Sequence, residues 1–206
     1  MQIKALLIDA DGVIQKPTRD WTEAFESLFA LSDRETATKF KADVDAAEAL
    51  TLTTHGGFRE ELEKVVAKWR LGYKADQVIE VMYSIVCHEE NMSVFRSLRR
   101  QGIVCCVASN QQTGRAQHMS ENLGYRGFFD HELYSCRLGA AKPDRKFFTA
   151  ALTTIGQPPS STLFIDDREE NVAGARRAGL NAELYDAATG ADTLRALLKG
   201  YGLVDS

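Results

Sequence analysis

Residues 3–14 read IKALLIDADGVI, and this stretch decides the fold. Ala5, Leu6, Leu7 and Ile8 form a continuous apolar run that ends in two carboxylates, Asp9 and Asp11, and Gly12 allows a sharp exit. A short apolar run closed by a glycine turn reads as a strand buried on both faces of a parallel sheet. In open α/β sheets the chemistry sits just beyond the carboxyl ends of the strands. Two acids one residue apart at such an end are costly to keep as anions unless a cation or a shared proton relieves them. Taken alone, the stretch is equally an acidic strand-to-loop turn.

After Ile14 the periodicity becomes helical for some seventy residues. Asp20 followed by Glu23 has the spacing of a capping box, with Trp21, Phe25, Leu28 and Phe29 on one face, and Ser32 with Glu35 repeats the signal. Two further helices are expected, one across Phe58–Trp69 and one opened by Asp76 that buries Ile79, Met82 and Val86. Residues 15–92 therefore read as a small helical bundle inserted after the first strand. The insert holds 15 acidic and 10 basic side chains, against 14 and 15 in the remainder, so the acidity resides in the insert.

From Ser93 onward strands alternate with helices. Strands are expected over Ile103–Ala108, His131–Cys136, Thr162–Ile165 and Ala182–Tyr185, with helices between them and a last helix carrying Leu194, Leu197, Leu198 and Tyr201. This alternation argues an α/β, Rossmann-like, doubly wound parallel sheet formed by residues 1–14 and 93–206, interrupted by the helical bundle over 15–92.

Composition narrows the function classes. With 206 residues, 44% hydrophobic and 26% charged, the chain has the make-up of a soluble globular protein, and a net charge of -4 gives no reason to expect nucleic acid or an anionic membrane as partner. Cys87, Cys105, Cys106 and Cys136 show no zinc-ligand spacing and read as reduced thiols. No signal pattern precedes the first strand and no apolar stretch approaches a membrane span, so a cytoplasmic protein is expected.

Three apolar runs end in polar pairs: Asp9 with Asp11, Ser109 with Asn110, and Asp166 with Asp167. Lys142 sits in the loop Gly139–Asp144 ahead of a helix. In a parallel sheet these ends converge on one edge. Clustered carboxylates without His or Cys form a hard oxygen site suited to Mg²⁺. Lys142 and Ser109 are suitable donors to phosphoryl oxygens, and an aspartate there can act as a covalent nucleophile with a second carboxylate as acid and base.

These motifs resemble the haloacid dehalogenase-like hydrolase superfamily from end to end. DADGV at Asp9–Val13 looks like its first motif, VASN ending at Asn110 its second, AKPD at Lys142 its third, and FIDDREEN, with Asp166, Asp167 and Asn171, its fourth. The helical insert is similar to the cap that some members carry after the first motif. The resemblance implies a Mg²⁺-dependent phosphatase for a small phosphorylated metabolite, a sugar phosphate or something like phosphoglycolate, working through a phosphoaspartate. Asp9 would be the nucleophile, Asp11 the general acid and base, and Ser109, Asn110 and Lys142 the groups on the phosphoryl oxygens. Mg²⁺ would be held by Asp9, the Asp11 carbonyl and Asp167, with Asp166 behind them or as an alternate ligand. A phosphomutase shares the same residues, and a silent binding protein on this fold is the third reading. Members that act as dehalogenases have a non-acidic residue where Asp11 stands, which counts against that chemistry. Gln15, Lys16, Arg19 and the loop His55-Gly56-Gly57 are the expected places for substrate discrimination.

Overall fold

The computed structural model describes residues 2–72 and 74–204, so Met1, Asp205 and Ser206 of the expected core range and Tyr73 of the insert lie outside the described residues. Among the described residues, five parallel strands make one sheet: β1 (Ala5–Ile8), β4 (Val104–Ser109), β5 (His131–Tyr134), β6 (Thr162–Asp166) and β7 (Asn181–Leu184), in the order β5-β4-β1-β6-β7. The strand read first is thus central, with Ile8 opposite both Val107 of β4 and Ile165 of β6. The direction of winding reverses between β1 and β6, the crevice where open sheets bind ligands.

The continuous apolar runs are explained by burial on both faces. Leu6, Ile8, Cys105, Val107, Leu163 and Ile165 pack on one side with α5 (Glu89–Arg100), α6 (Thr113–Glu121) and α11 (Ala191–Gly200). Ala5, Leu7, Cys106, Ala108 and Phe164 pack on the other with α9 (Arg145–Ile155) and α10 (Glu169–Arg177). The layers are those of a Rossmann-like α/β fold. All four cysteines are free, with Cys105, Cys106 and Cys136 buried.

The insert contains α1 (Trp21–Phe29), α2 (Arg34–Ala49), α3 (Phe58–Lys68) and α4 (Ala75–Tyr83), which share an apolar centre around Phe25, Phe40, Val44, Leu62, Val78 and Met82. Phe40 makes edge contacts with Phe25, Phe29 and Trp69. Asp20 caps α1 as its spacing with Glu23 requires, its carboxylate accepting from the Glu23 N–H at 3.0 Å. The next cap is Asp33, accepting from the Thr36 N–H at 2.7 Å, rather than Ser32; the hydroxyl of Ser32 bonds Asp33 instead. Val86, expected inside the fourth helix, lies exposed in a strand. That strand, β3 (Ile85–Cys87), pairs antiparallel with β2 (Gln15–Pro17), so a short ribbon carries the chain out of and back into the sheet domain. Helix α5 then begins at Glu89 and buries Asn91 and Met92 on the core side of that ribbon.

Ser135 and Cys136, expected to finish the third core strand, instead open the short helix α8 (Ser135–Leu138), because Ser135 Oγ accepts from the Gln111 N–H at 3.0 Å and turns the chain. A further short helix, α7 (Tyr125–Phe128), follows Gly124.

Candidate active site

Asp9 stands immediately beyond β1, and its N–H donates to the carbonyl of Ile165 at 2.9 Å, which extends the pairing with β6 by one residue. The chain then turns, with the N–H groups of Ile14 and Gln15 both donating to the Ala10 carbonyl. Gly12 has φ +77°, and a Cβ there would lie 2.3 Å from Oδ2 of Asp167. Only glycine lets the β1 turn and the β6 end approach this closely.

Lys142 lies between two of the acids. Its Nζ is 2.8 Å from Asp9 Oδ1 and 2.6 Å from Asp166 Oδ2, and the lysine is 5% exposed. Burial alone would lower the lysine, but the flanking Asp9 and Asp166 carboxylates overcome it and hold the amine above its usual range. Asp166 is fully buried and also accepts from Asn171 Nδ2 at 3.0 and 3.1 Å and from the Arg168 N–H at 2.9 Å. Asn110 clasps the backbone of Lys142, accepting from its N–H and donating to its carbonyl, both at 2.9 Å. It therefore positions the lysine, a part its place in the sequence did not announce.

Asp9, Asp166 and Asp167 each offer a carboxylate oxygen within 4.8 Å of the others. Burial pushes Asp9 up to about 7 against the pull of Lys142, with Asp166 and Asp11 adding to the rise, and burial also raises Asp167. One ammonium cannot neutralise three carboxylates. The donor set, all hard oxygen, fits a divalent cation such as Mg²⁺. Asp166 already has partners for both oxygens, whereas no side-chain hydrogen bond holds the Asp167 carboxylate among the described residues.

Asp11 is held differently. Its two oxygens accept from Arg115 Nη1 and Nη2 at 2.7 and 2.8 Å, from Gln15 Nε2 at 3.0 Å and from Gln111 Nε2 at 2.9 Å. Removal from water would raise this carboxyl, but the Arg115 charge and the donors around it win and hold it at about 2. Arg115 is 3% exposed, donates also to the Met82 carbonyl at 3.2 Å, and lies over the Trp21 ring at 5.3 Å, so it ties the sheet domain to the insert. Gln111 reaches Ser109 Oγ at 3.1 Å as well, linking the second polar pair to the first. Neither Arg115 nor Gln111 stands out in the sequence.

A cavity of about 540 Å³ lies between the sheet edge and the insert. Asp9, Asp11, Ser109, Asn110, Lys142, Asp167 and Asn171 form its core side; Trp21, Lys41, Asp45, Glu48 and Leu52 form the insert side. The expected discrimination residues lie elsewhere. Lys16, Arg19 and His55 are exposed and outside the lining, and Arg19 donates to Ser27 instead. Gln15 is buried and committed to Asp11 and Tyr125. Gly56 donates to Thr113 Oγ1 at 3.0 Å, a contact between insert and core.

The profile of the haloacid dehalogenase-like hydrolases matches residues 3–179, and the chain belongs to that family. Among its curated relatives, a phosphatase of Mycobacterium tuberculosis (Phosphatase MT3486) is 28% identical over 199 residues, covering 90% of this chain and 88% of its own length. A phosphoglycolate phosphatase of Aquifex aeolicus is 22% identical over 88% of this chain and 84% of its own. The bifunctional epoxide hydrolase 2 of Sus scrofa is 24% identical over 87% of this chain, which spans only 36% of that protein. In fold, the chain matches the HAD-family enzyme BT-2542 of Bacteroides thetaiotaomicron with a TM-score of 0.75 at 23% identity, covering 94% of this chain and 98% of that one. That enzyme has also been solved with magnesium and inorganic phosphate. No helix among the described residues is long and apolar enough to cross a membrane.

Proposed function

We propose that this hydrolase-family protein is a Mg²⁺-dependent phosphatase that cleaves a small phosphorylated metabolite through a phosphoaspartate on Asp9. The observation that carries the reading is the buried Lys142 between Asp9 and Asp166, with Asp167 and Ser109 beside them at the switch point of the sheet. Phosphatase relatives that cover most of the chain support it.

Asp9 and Asp167, with the Asp11 carbonyl, would hold Mg²⁺, which neutralises charge on the phosphoryl oxygens when bound. Lys142 and the Ser109 hydroxyl donate to those oxygens. An Asp9 carboxylate oxygen forms a bond to phosphorus as the bond to the leaving oxygen breaks, and the leaving oxygen takes a proton. Water then attacks the same phosphorus, freeing inorganic phosphate and the Asp9 carboxylate. Asp11 faces the cavity as an anion, the state of a base for that water. To act as acid in the first step it must carry a proton, which requires its bonds with Arg115 to be broken. Insert residues 15–92 serve as a cap whose inner wall meets the leaving group.

Phosphate release from p-nitrophenyl phosphate and a panel of phosphorylated metabolites tests this. Release with Mg²⁺, its loss with chelator and a fall of at least about a thousandfold in Asp9→Asn are expected, a nucleophile being indispensable. Sugar-phosphate isomerisation without phosphate release would identify a mutase instead. Asp167→Ala should also abolish the rise in melting temperature that Mg²⁺ gives the wild-type protein.

A further inference from the structure

From the cavity wall contributed by the insert, we infer that Glu48 selects the substrate, and that the leaving group is an uncharged polyol such as a sugar rather than a carboxylate. This rests on the phosphatase reading and decides between the two substrate classes that the sequence leaves open.

Among the described residues, two buried polar atoms of this wall have no hydrogen-bond partner: Glu48 Oε1 and Trp21 Nε1. Both residues line the cavity. Orphaned polar atoms are costly when buried, and here one is an acceptor and the other a donor. A hydroxyl satisfies both kinds, because it donates one hydrogen and accepts at its lone pairs. A carboxylate could accept from Trp21 but would face Glu48 with like charge.

The cations of the cavity strengthen the argument, because they are already committed. Lys41 is paired with Asp45 at 2.6 Å, Arg115 with Asp11 through both nitrogens, and Lys142 with Asp9 and Asp166. Arg168 remains at the rim, with its side chain 69% exposed and Glu170 at 3.8 Å, where water screens it. A second anionic group, beyond the phosphoryl group that Lys142 and the metal would receive, finds no unengaged buried cation among the described residues. Burial pushes Glu48 up to about 7 against the attraction of Arg115, so assays near pH 8 keep it an acceptor.

The test compares kcat/KM near pH 8 for hexose and pentose phosphates and for 2-phosphoglycolate, in wild type, Glu48→Gln and Glu48→Lys. p-Nitrophenyl phosphate reports whether each protein has an assembled site. Wild type should favour the best sugar phosphate over phosphoglycolate by about tenfold or more, the worth of one hydrogen bond to a charged group. Glu48→Gln should narrow that ratio, and Glu48→Lys should invert it. Equal or better hydrolysis of phosphoglycolate by wild type overturns the inference, as does an unmoved ratio in a folded Glu48→Lys protein. If Glu48→Lys does not fold, the wild-type ratio and its change in Glu48→Gln decide. Failure of wild type to release phosphate from p-nitrophenyl phosphate and from every metabolite tested removes the phosphatase reading itself, and this inference with it.

Discussion

Asp9 and Asp11 lie two positions apart in sequence, yet their surroundings push their carboxyls in opposite directions. Asp9 is buried beside other carboxylates, while Asp11 is surrounded by Arg115, Gln15 and Gln111. The charge on Arg115 therefore does structural work that can be measured. Arg115→Gln should destabilise the metal-free protein by about 1–2 kcal/mol near neutral pH, less than for a fully buried ion pair because the Asp11 side chain is 40% exposed. A carboxyl held at about 2 contributes stability above its unfolded value of 3.8 and loses it as pH falls through 2. Urea unfolding should show the wild-type advantage shrinking between about pH 4 and pH 2; a constant difference would mean that Arg115 acts only by packing. At this scale the carboxylates and Lys142 were legible through their joint occurrence, the acids at the ends of apolar runs and the lysine in a loop ahead of a helix, since each alone has an ordinary structural reading. Arg115, Gln111 and Glu48 were not. Each sits in a helix or turn of ordinary polar composition, and only the topology, bringing residues 104 positions apart into contact, gives them a part.

Among the elements, the long buried strands and capped helices could be read from periodicity, and the short pieces could not. The β2–β3 ribbon has three residues on each side, too few to show an alternation, and it pairs segments about seventy residues apart. Asp33 displaced Ser32 as the cap because a carboxylate one residue later reaches the same helix end. One close approach between elements matters for the site. A Cβ on Gly174 of α10 would lie 2.6 Å from the carbonyl oxygen of Pro143 and 2.8 Å from its Cβ, next to Lys142. Gly174→Ala should therefore push α10 away from the lysine loop. A loss of about 1–3 kcal/mol in unfolding free energy is expected, the usual cost of overpacking, together with reduced turnover. A variant as stable and active as wild type would show that the loop yields without disturbing Lys142.

On the scale of the whole molecule, the order β5-β4-β1-β6-β7 turns four separate sequence motifs into one site. β4, β1 and β6 are neighbours, so Ser109, Asp9 and Asp166 leave the sheet side by side, and the loop bearing Lys142 returns to them. The insert closes the other side of the cavity, with Arg115 holding both parts through Asp11, Met82 and Trp21. On the proposed mechanism, Asp9 carries the phosphoryl group between substrate and water. The most direct measurement is an acid quench within the first turnover, followed by peptide mass spectrometry of the protein with and without Mg²⁺. One added phosphoryl group is expected on the peptide containing Asp9, labile to hydroxylamine, dependent on the metal and absent from Asp9→Asn. Phosphate release at full rate with no phosphoryl group on Asp9 at any quench time, in a variant panel where Asp9→Asn still turns over, would contradict it.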